Sequence, residues 1–312
     1  MDTSDVKLVV TGKVDKEIQT DRAFEEIGTQ TEISFINHKK TPKILVMSGG
    51  GMKGMASIGA LFALDEHKML DTIDTYLGTS IGAVLCSLLV LGYSVQEIYD
   101  ISTTIDFNKV KNIDFMSILD DYGTDDGKNI ICVIKKFIIN KTNNENITLK
   151  ELYELTKKKL IITVSCWSNT KPEYFDYENE PDLPLYLALR MSTCYPLLYK
   201  PVYYKGQCYI DGGCSDNYPI EQFLDRIDEV IGICFINNDI NLGPSCIETY
   251  IYGITKCILS RNNKNVILFK NNTITIDTTD IISIELNISK DKKFELFLRG
   301  YKSAIEFLEI FT

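Results

Sequence analysis

Histidine is nearly missing from this chain, with only His38 and His67 among 312 residues. A triad in the α/β-hydrolase order needs a histidine after its serine and its acid, so no serine beyond residue 67 can belong to one. His67 ends a predicted helix of about 13 residues, which at ~1.5 Å per residue sets it roughly 20 Å from that helix's other end. It reads as a solvated helix-end residue. Zinc also lacks ligands, because the nine cysteines are spread from residue 86 to 257 without C-x-x-C spacing. Cys86, Cys166 and Cys234 sit inside apolar runs and read as reduced core residues. Asp121 to Asp126 lacks the carboxylate spacing of a calcium loop, so neither metal nor cofactor is expected. Long apolar runs are absent too. The longest, from Ile81 to about Leu91, is too short to span a bilayer and reads as a buried helix. The polar first ten residues lack the pattern of a secretory leader, and a cytoplasmic protein with only peripheral membrane contact is expected. A net charge of −10 leaves no basic surplus and argues against nucleic acid as the main partner.

What is present is a large apolar fraction, 45%, enough for a sizeable core. Residues 1–40 are polar and aperiodic and read as a flexible tail, which leaves 41–312 as one domain. Within the tail, Thr29-Gln30-Thr31 resembles the segment that dynein light chains bind by strand addition, although a plain solvated tail is the simpler reading. From Lys43 the pattern is strand, glycine turn and helix to about His67. It then repeats as a strand at Thr75–Leu77, a turn, and a helix from Ile81 to about Gly92. Two such units in succession predict a parallel sheet covered by helices. Ser94 with Glu97, and Thr148 with Glu151, form capping-box signatures that start two more helices. Further strands are expected at Lys159–Cys166, up to Asp211, at Glu229–Ile236 and at Val266–Phe269, with helices at Leu183–Met191 and Phe294–Phe311.

Three short strings could carry chemistry. Gly78-Thr79-Ser80-Ile81-Gly82 follows a strand and precedes a helix, which would project the Ser80 hydroxyl at a helix N-terminus where negative charge is favoured. A Gly-flanked N-cap serine is the equally simple alternative. Gly49-Gly50-Gly51-Met52-Lys53-Gly54 could offer unhindered N–H groups to an oxyanion, or be a turn. It also satisfies a dinucleotide fingerprint, but that fingerprint needs an acid at the end of the next strand, where Thr79 and Ser80 stand. Asp211-Gly212-Gly213 places a carboxylate at a strand end, as a base for Ser80 or as an ordinary turn. With imidazole excluded, Asp211 is the best available base, provided that burial raises its basicity.

In this order and spacing the three strings resemble the patatin-like phospholipase family, whose pattern is a G-G-G-x-[K/R]-G loop, a G-x-S-x-G elbow and a D-G-[A/G] acid. Arg190 to Pro196 resembles the family's R-A-S-x-x-x-P stretch, with Met191 and Tyr195 bulkier than usual, and Asn217-Tyr218-Pro219 resembles its N-x-P. The likeness covers roughly residues 43–236. It implies a three-layer α/β/α patatin-like fold around a central, mostly parallel sheet, and metal-independent cleavage of glycerolipid acyl esters from a membrane or micelle. It further implies Ser80 as nucleophile, Asp211 as base, and the Gly50 and Gly51 amides as oxyanion donors. Gly78 and Gly82 would shape the elbow, and Gly212 and Gly213 the acid turn. Lys53 could orient an anionic head group or be a solvated first-turn lysine. A lipid-binding scaffold without chemistry and an acyltransferase share every string.

Overall fold

A computed structural model describes residues 40–105, 110, 112–114, 116–236, 250, 253, 268–279 and 288–311. The expected tail up to residue 39, with Thr29, Gln30, Thr31 and His38, lies outside them. The chain opens with β1 (Ile44–Met47), α1 (Gly54–Glu66), β2 (Thr75–Thr79) and α2 (Ile81–Val90). Next come α3 (Val95–Thr104), the short α4 (Ser117–Asp121), β3 (Gly123–Asp125), α5 (Lys128–Thr142) and α6 (Leu149–Thr156). The second half holds β4 (Lys159–Cys166), β5 (Lys171–Phe175), α7 (Leu185–Ser192), β6 (Leu197–Tyr199), β7 (Val202–Tyr204) and β8 (Gln207–Asp211). It closes with β9 (Val230–Ile236), β10 (Thr273–Asp277) and α8 (Lys290–Phe311). Both predicted capping boxes form, since Glu97 N–H donates to Ser94 Oγ at 3.1 Å and Glu151 N–H to Thr148 Oγ1 at 3.2 Å.

The fold is α/β, around a mixed and mostly parallel sheet. Its strand order is β10-β9-β1-β2-β4-β8-β7, with β5 also on β4. From β10 to β4 every pairing is parallel, and β5, β8 and β7 join antiparallel. Alternation along β1 serves both faces at once. Leu45 and Met47 enter the core beneath the helices, while Ile44 and Val46 enter a second core with Leu77, Ile220, Phe223 and Ile227. Among the described residues, a 3₁₀ stretch at Ile220–Glu229 supplies the packing partners on that second face.

The expected strand at Val266–Phe269 is corrected. Val266 and Ile267 lie outside the described residues, Leu268 and Phe269 are helical and turn, and the strand is β10, parallel to β9. The Thr-Ile-Thr-Ile alternation of β10 fits a pleated strand better than a short apolar run does. On the helical side α8 lies against α1 at two glycines. A Cβ on Gly59 would overlap the carbonyl of Phe297, and one on Gly300 the carbonyl of Ala56.

One edge of β4 positions the site. Its residues Lys159 to Thr163 pair with β2, and Val164 to Cys166 pair with β8, while β5 occupies residues Ile162 to Cys166. A strand has two edges, so the overlaps with β5 force β2 and β8 onto the same one, end to end. Thr79 therefore stands opposite Thr163, and Asp211 opposite the next residue, Val164. Two strand ends meet there.

Candidate active site

β2 turns sharply into α2 at Ser80, whose backbone has φ 52° and ψ −121°. This left-handed φ is strained for a side-chain-bearing residue, at a cost of about 1–3 kcal/mol, so the surroundings must enforce it. Gly78 and Gly82 allow it, because a Cβ on Gly78 would strike the backbone of Ala83 and one on Gly82 the carbonyl of Met47. The Ser80 N–H donates to Ser192 Oγ at 2.9 Å, and Ser192 Oγ donates to the Thr163 carbonyl at 2.7 Å. Ser80 occupies the N-cap of α2 but makes no side-chain cap bond. Its Oγ donates instead to Asp211 Oδ2 at 2.7 Å.

Asp211 is held on every side. Its Oδ1 accepts the Gly213 N–H at 2.8 Å, its own N–H donates to the Cys194 carbonyl at 2.9 Å, and Ser165 Oγ donates to its carbonyl at 2.8 Å. A Cβ on Gly212 would overlap the Thr163 carbonyl, so the acid turn can approach β4 only as glycine. Only 4% of Asp211 is exposed, and this burial pushes its carboxyl up to about 6, with the bonds from Ser80 and Gly213 holding it back.

The glycine loop lies against the same serine. A Cβ on Gly49 would come within 3.2 Å of Ser80 Cβ, and one on Gly50 would enter the ring of Phe235. Asn217 clasps the loop: Gly49 N–H donates to its carbonyl at 3.1 Å, and its Nδ2 donates to the Gly49 carbonyl at 3.3 Å. Gly51 has φ 54°, and Gly54 backs onto Ile81 beside the elbow. Met52 and Lys53 are buried. A solvated first-turn Lys53 is therefore corrected, since the turn folds inward and brings its charge close enough to act on the Cys234 thiol. The structure thus gathers Ser80, Asp211, Gly49 and the two glycine turns into one place. His67 stays remote in role, its Nδ1 bonded to the Ala63 carbonyl at 2.8 Å at the far end of α1.

The family model for patatin-like phospholipases matches residues 45–224, more than half of the chain. The chain belongs to the patatin-like phospholipase family. An uncharacterized protein of Acanthamoeba polyphaga mimivirus is 30% identical over 277 residues, which are 84% of this chain and 92% of that one. The probable lipid hydrolase of Invertebrate iridescent virus 6 is 34% identical over 194 residues, 60% of this chain and 65% of the relative. In structure the chain is similar to VipD from Legionella pneumophila, with a TM-score of 0.62 at 17% identity over 86% of this chain and 67% of VipD, a likeness of fold. By class, then, this is a patatin-like lipid hydrolase.

Ser192 and Asn217 stand inside strings that were legible as patatin-like, yet nothing in the sequence told that Ser192 receives the Ser80 N–H or that Asn217 clasps the glycine loop. Both act through contacts more than 100 residues away in sequence. Among the described residues, no cluster of three His, Cys, Asp or Glu is placed to hold a metal ion, and no helix is long and apolar enough to cross a membrane.

Proposed function

We propose that this chain cleaves fatty acyl esters of glycerolipids, phospholipids among them, with Ser80 as nucleophile and Asp211 as its base. The observation that carries the reading is the 2.7 Å bond from Ser80 Oγ to a buried carboxylate, at a backbone turn strained into position. Asp211 takes the hydroxyl proton as Ser80 Oγ attacks the ester carbonyl. Collapse of the tetrahedral intermediate expels the alcohol, which takes that proton, and leaves an acyl-serine. Water, deprotonated by Asp211, then attacks the acyl-serine and releases the fatty acid. The Gly50 and Gly51 N–H groups, in the loop that packs on Ser80 through Gly49, are the donors assigned to the oxyanion. With Lys53 buried under that loop, its charge is assigned to the loop's support rather than to a lipid head group.

The decisive measurement is lipid-product analysis beside fluorophosphonate labelling. Wild type releases fatty acid and is labelled at Ser80. Ser80→Ala loses the label and roughly 10³-fold or more of the activity. An unlabelled wild type that still binds lipid would make the chain a scaffold, and an ester of an added alcohol as main product would make it an acyltransferase.

Acidity gives a second expectation. Asp211 must be ionised to accept a proton, and its carboxyl titrates at about 6. kcat/KM for a neutral ester will therefore fall as pH drops through about 6, and a flat profile between pH 5 and 8 would remove Asp211 as the base.

A further inference from the structure

A substrate held in a lipid surface must be met by the protein's own surface, and the rim of the sheet beyond the dyad carries side chains suited to that. Trp167 is the single tryptophan of the chain and is 66% exposed. It lies three residues past Val164, the β4 partner of Asp211, hence about 10 Å beyond that acid along the strand. Trp167 N–H donates to the Cys208 carbonyl at 2.9 Å, and Cys208 pairs with the exposed Tyr203 of β7. β7 follows β6 after two residues, and β6 pairs with β3, just before which Tyr122 ends α4, the helix of the exposed Leu119 with the exposed Met116 at its N-cap. Leu197, also exposed, faces Gly123 across the β3–β6 pair. These six large side chains are each at least 40% exposed. Singly they would need no explanation, but gathered along one rim they mark a contact surface.

The rim is fastened to the site. Arg190, two residues before Ser192 on α7, donates through Nη2 to the Lys200 carbonyl at 2.9 Å and to the Asp126 carbonyl at 3.4 Å. One helix thus holds both the Ser80 backbone and the ends of β3 and β6, the pair on which Leu197 stands. Its charge selects among lipids. Asp114, Asp120, Asp121 and Asp126 flank the patch, while Lys200 is paired with Asp121 at 2.6 Å, Lys128 with Asp126 at 2.7 Å, and Lys205 with Glu180 at 2.7 Å. An anionic lipid surface attracts basic segments and would repel this one, in a chain of net charge −10.

We propose that this rim is the membrane-docking surface of the enzyme, and that it seats on zwitterionic lipid through Trp167, Tyr203, Leu119 and their neighbours. The proposal rests on the lipid-hydrolase reading. Tryptophan and tyrosine, part apolar and part polar, are the side chains that settle at the headgroup level.

The test uses the full chain carrying Ser80→Ala, so that binding is read without hydrolysis. With phosphatidylcholine vesicles, Trp167 emission will shift to the blue and the protein will sediment with the vesicles. Replacing part of the phosphatidylcholine by phosphatidylglycerol will weaken both signals. Leu119→Ser with Tyr203→Ser, both at exposed positions, will lower the partition coefficient roughly 10- to 100-fold. Circular dichroism checks the fold. With Ser80 restored, the same pair of substitutions will depress vesicle-lipid hydrolysis roughly ten-fold more than hydrolysis of a short soluble ester. Partition unchanged by the double substitution would overturn the proposal, as would tighter binding to phosphatidylglycerol. So would a wild-type dimer that the substitutions dissolve while vesicle binding is nil, because the patch would then be a self-association surface. Failure of the hydrolase reading is seen separately, as absence of soluble-ester hydrolysis in a protein that still docks.

Discussion

Asp211→Asn will lose roughly 10³-fold in ester hydrolysis and will at the same time unfold at a higher temperature than the wild type at pH 8. The loss follows because an amide cannot take the Ser80 proton at the end of the 2.7 Å bond. The gain follows from linkage. Burial raises the folded-state carboxyl from its ordinary 3.8 to about 6, so the native state holds a proton that the unfolded chain has released between those values. Stability from that proton is fully present below about 3.8 and is lost as pH rises through about 6. Above that, an ionised carboxylate kept out of water costs up to about 3 kcal/mol. Asparagine carries no charge to desolvate, and its Oδ1 can still accept the Gly213 N–H that Asp211 accepts now. Its new NH₂ group must find an acceptor, which takes back about 1 kcal/mol, so a net gain of about 1–2 kcal/mol is expected at pH 8. Denaturant melts at pH 8 and pH 4 check it, since the advantage should vanish at the lower pH. A variant that is inactive but no more stable than wild type at pH 8 would mean that the ionised carboxylate is better solvated than its burial indicates.

Gly300→Ala will destabilise the native state by about 3 kcal/mol, although alanine is the better helix former. In a helix interior that exchange alone favours alanine by about 1 kcal/mol. Here the new methyl would lie inside the carbonyl of Ala56, with no flexible side chain to move aside. α8 must then lift from α1, opening space around Phe297, Tyr301 and Ala304, which pack on the core. Overpacking followed by a loosened interface costs about 3 kcal/mol or more and outweighs the propensity term. Lys302→Ala on the same helix, where the side chain is 80% exposed, should change stability by less than about 0.5 kcal/mol. Urea unfolding of the pair measures the difference, and equal midpoints would show that the helices do not cross that closely.

Much of this was legible because it is local. The strand before Gly49, the helix after Ser80 and both capping boxes rest on residues within a few positions of one another, and all form as their patterns demand. The strings at Ser80, Asp211 and Gly49 could be read off the chain, and the structure brings them together. Their union was expected from the resemblance, but the register that brings it about was not legible. It depends on β8 running antiparallel into the line of β2 along β4, a register set by packing that no local pattern encodes. Of the two readings left open for Lys53, burial removes the solvated one, since a charged residue in a first helical turn is ordinarily solvated and only the inward fold of the glycine loop buries it. At β10 the strand rests on an alternating Thr-Ile pattern that the reading of apolar runs passed over.

The head-on meeting of β2 and β8 also sets an order of events in folding. Ser80 and Asp211 are separated by 131 residues, so their bond closes a long loop. Local units such as β2 with α2 can form early, whereas pairings of such high sequence separation are slow and come late. During synthesis the serine turn emerges well before the carboxylate to which it is hydrogen-bonded in the folded chain. On the proposed mechanism, ester cleavage must await the docking of β8 on β4, so that recovery of activity on refolding should trail the recovery of helical signal.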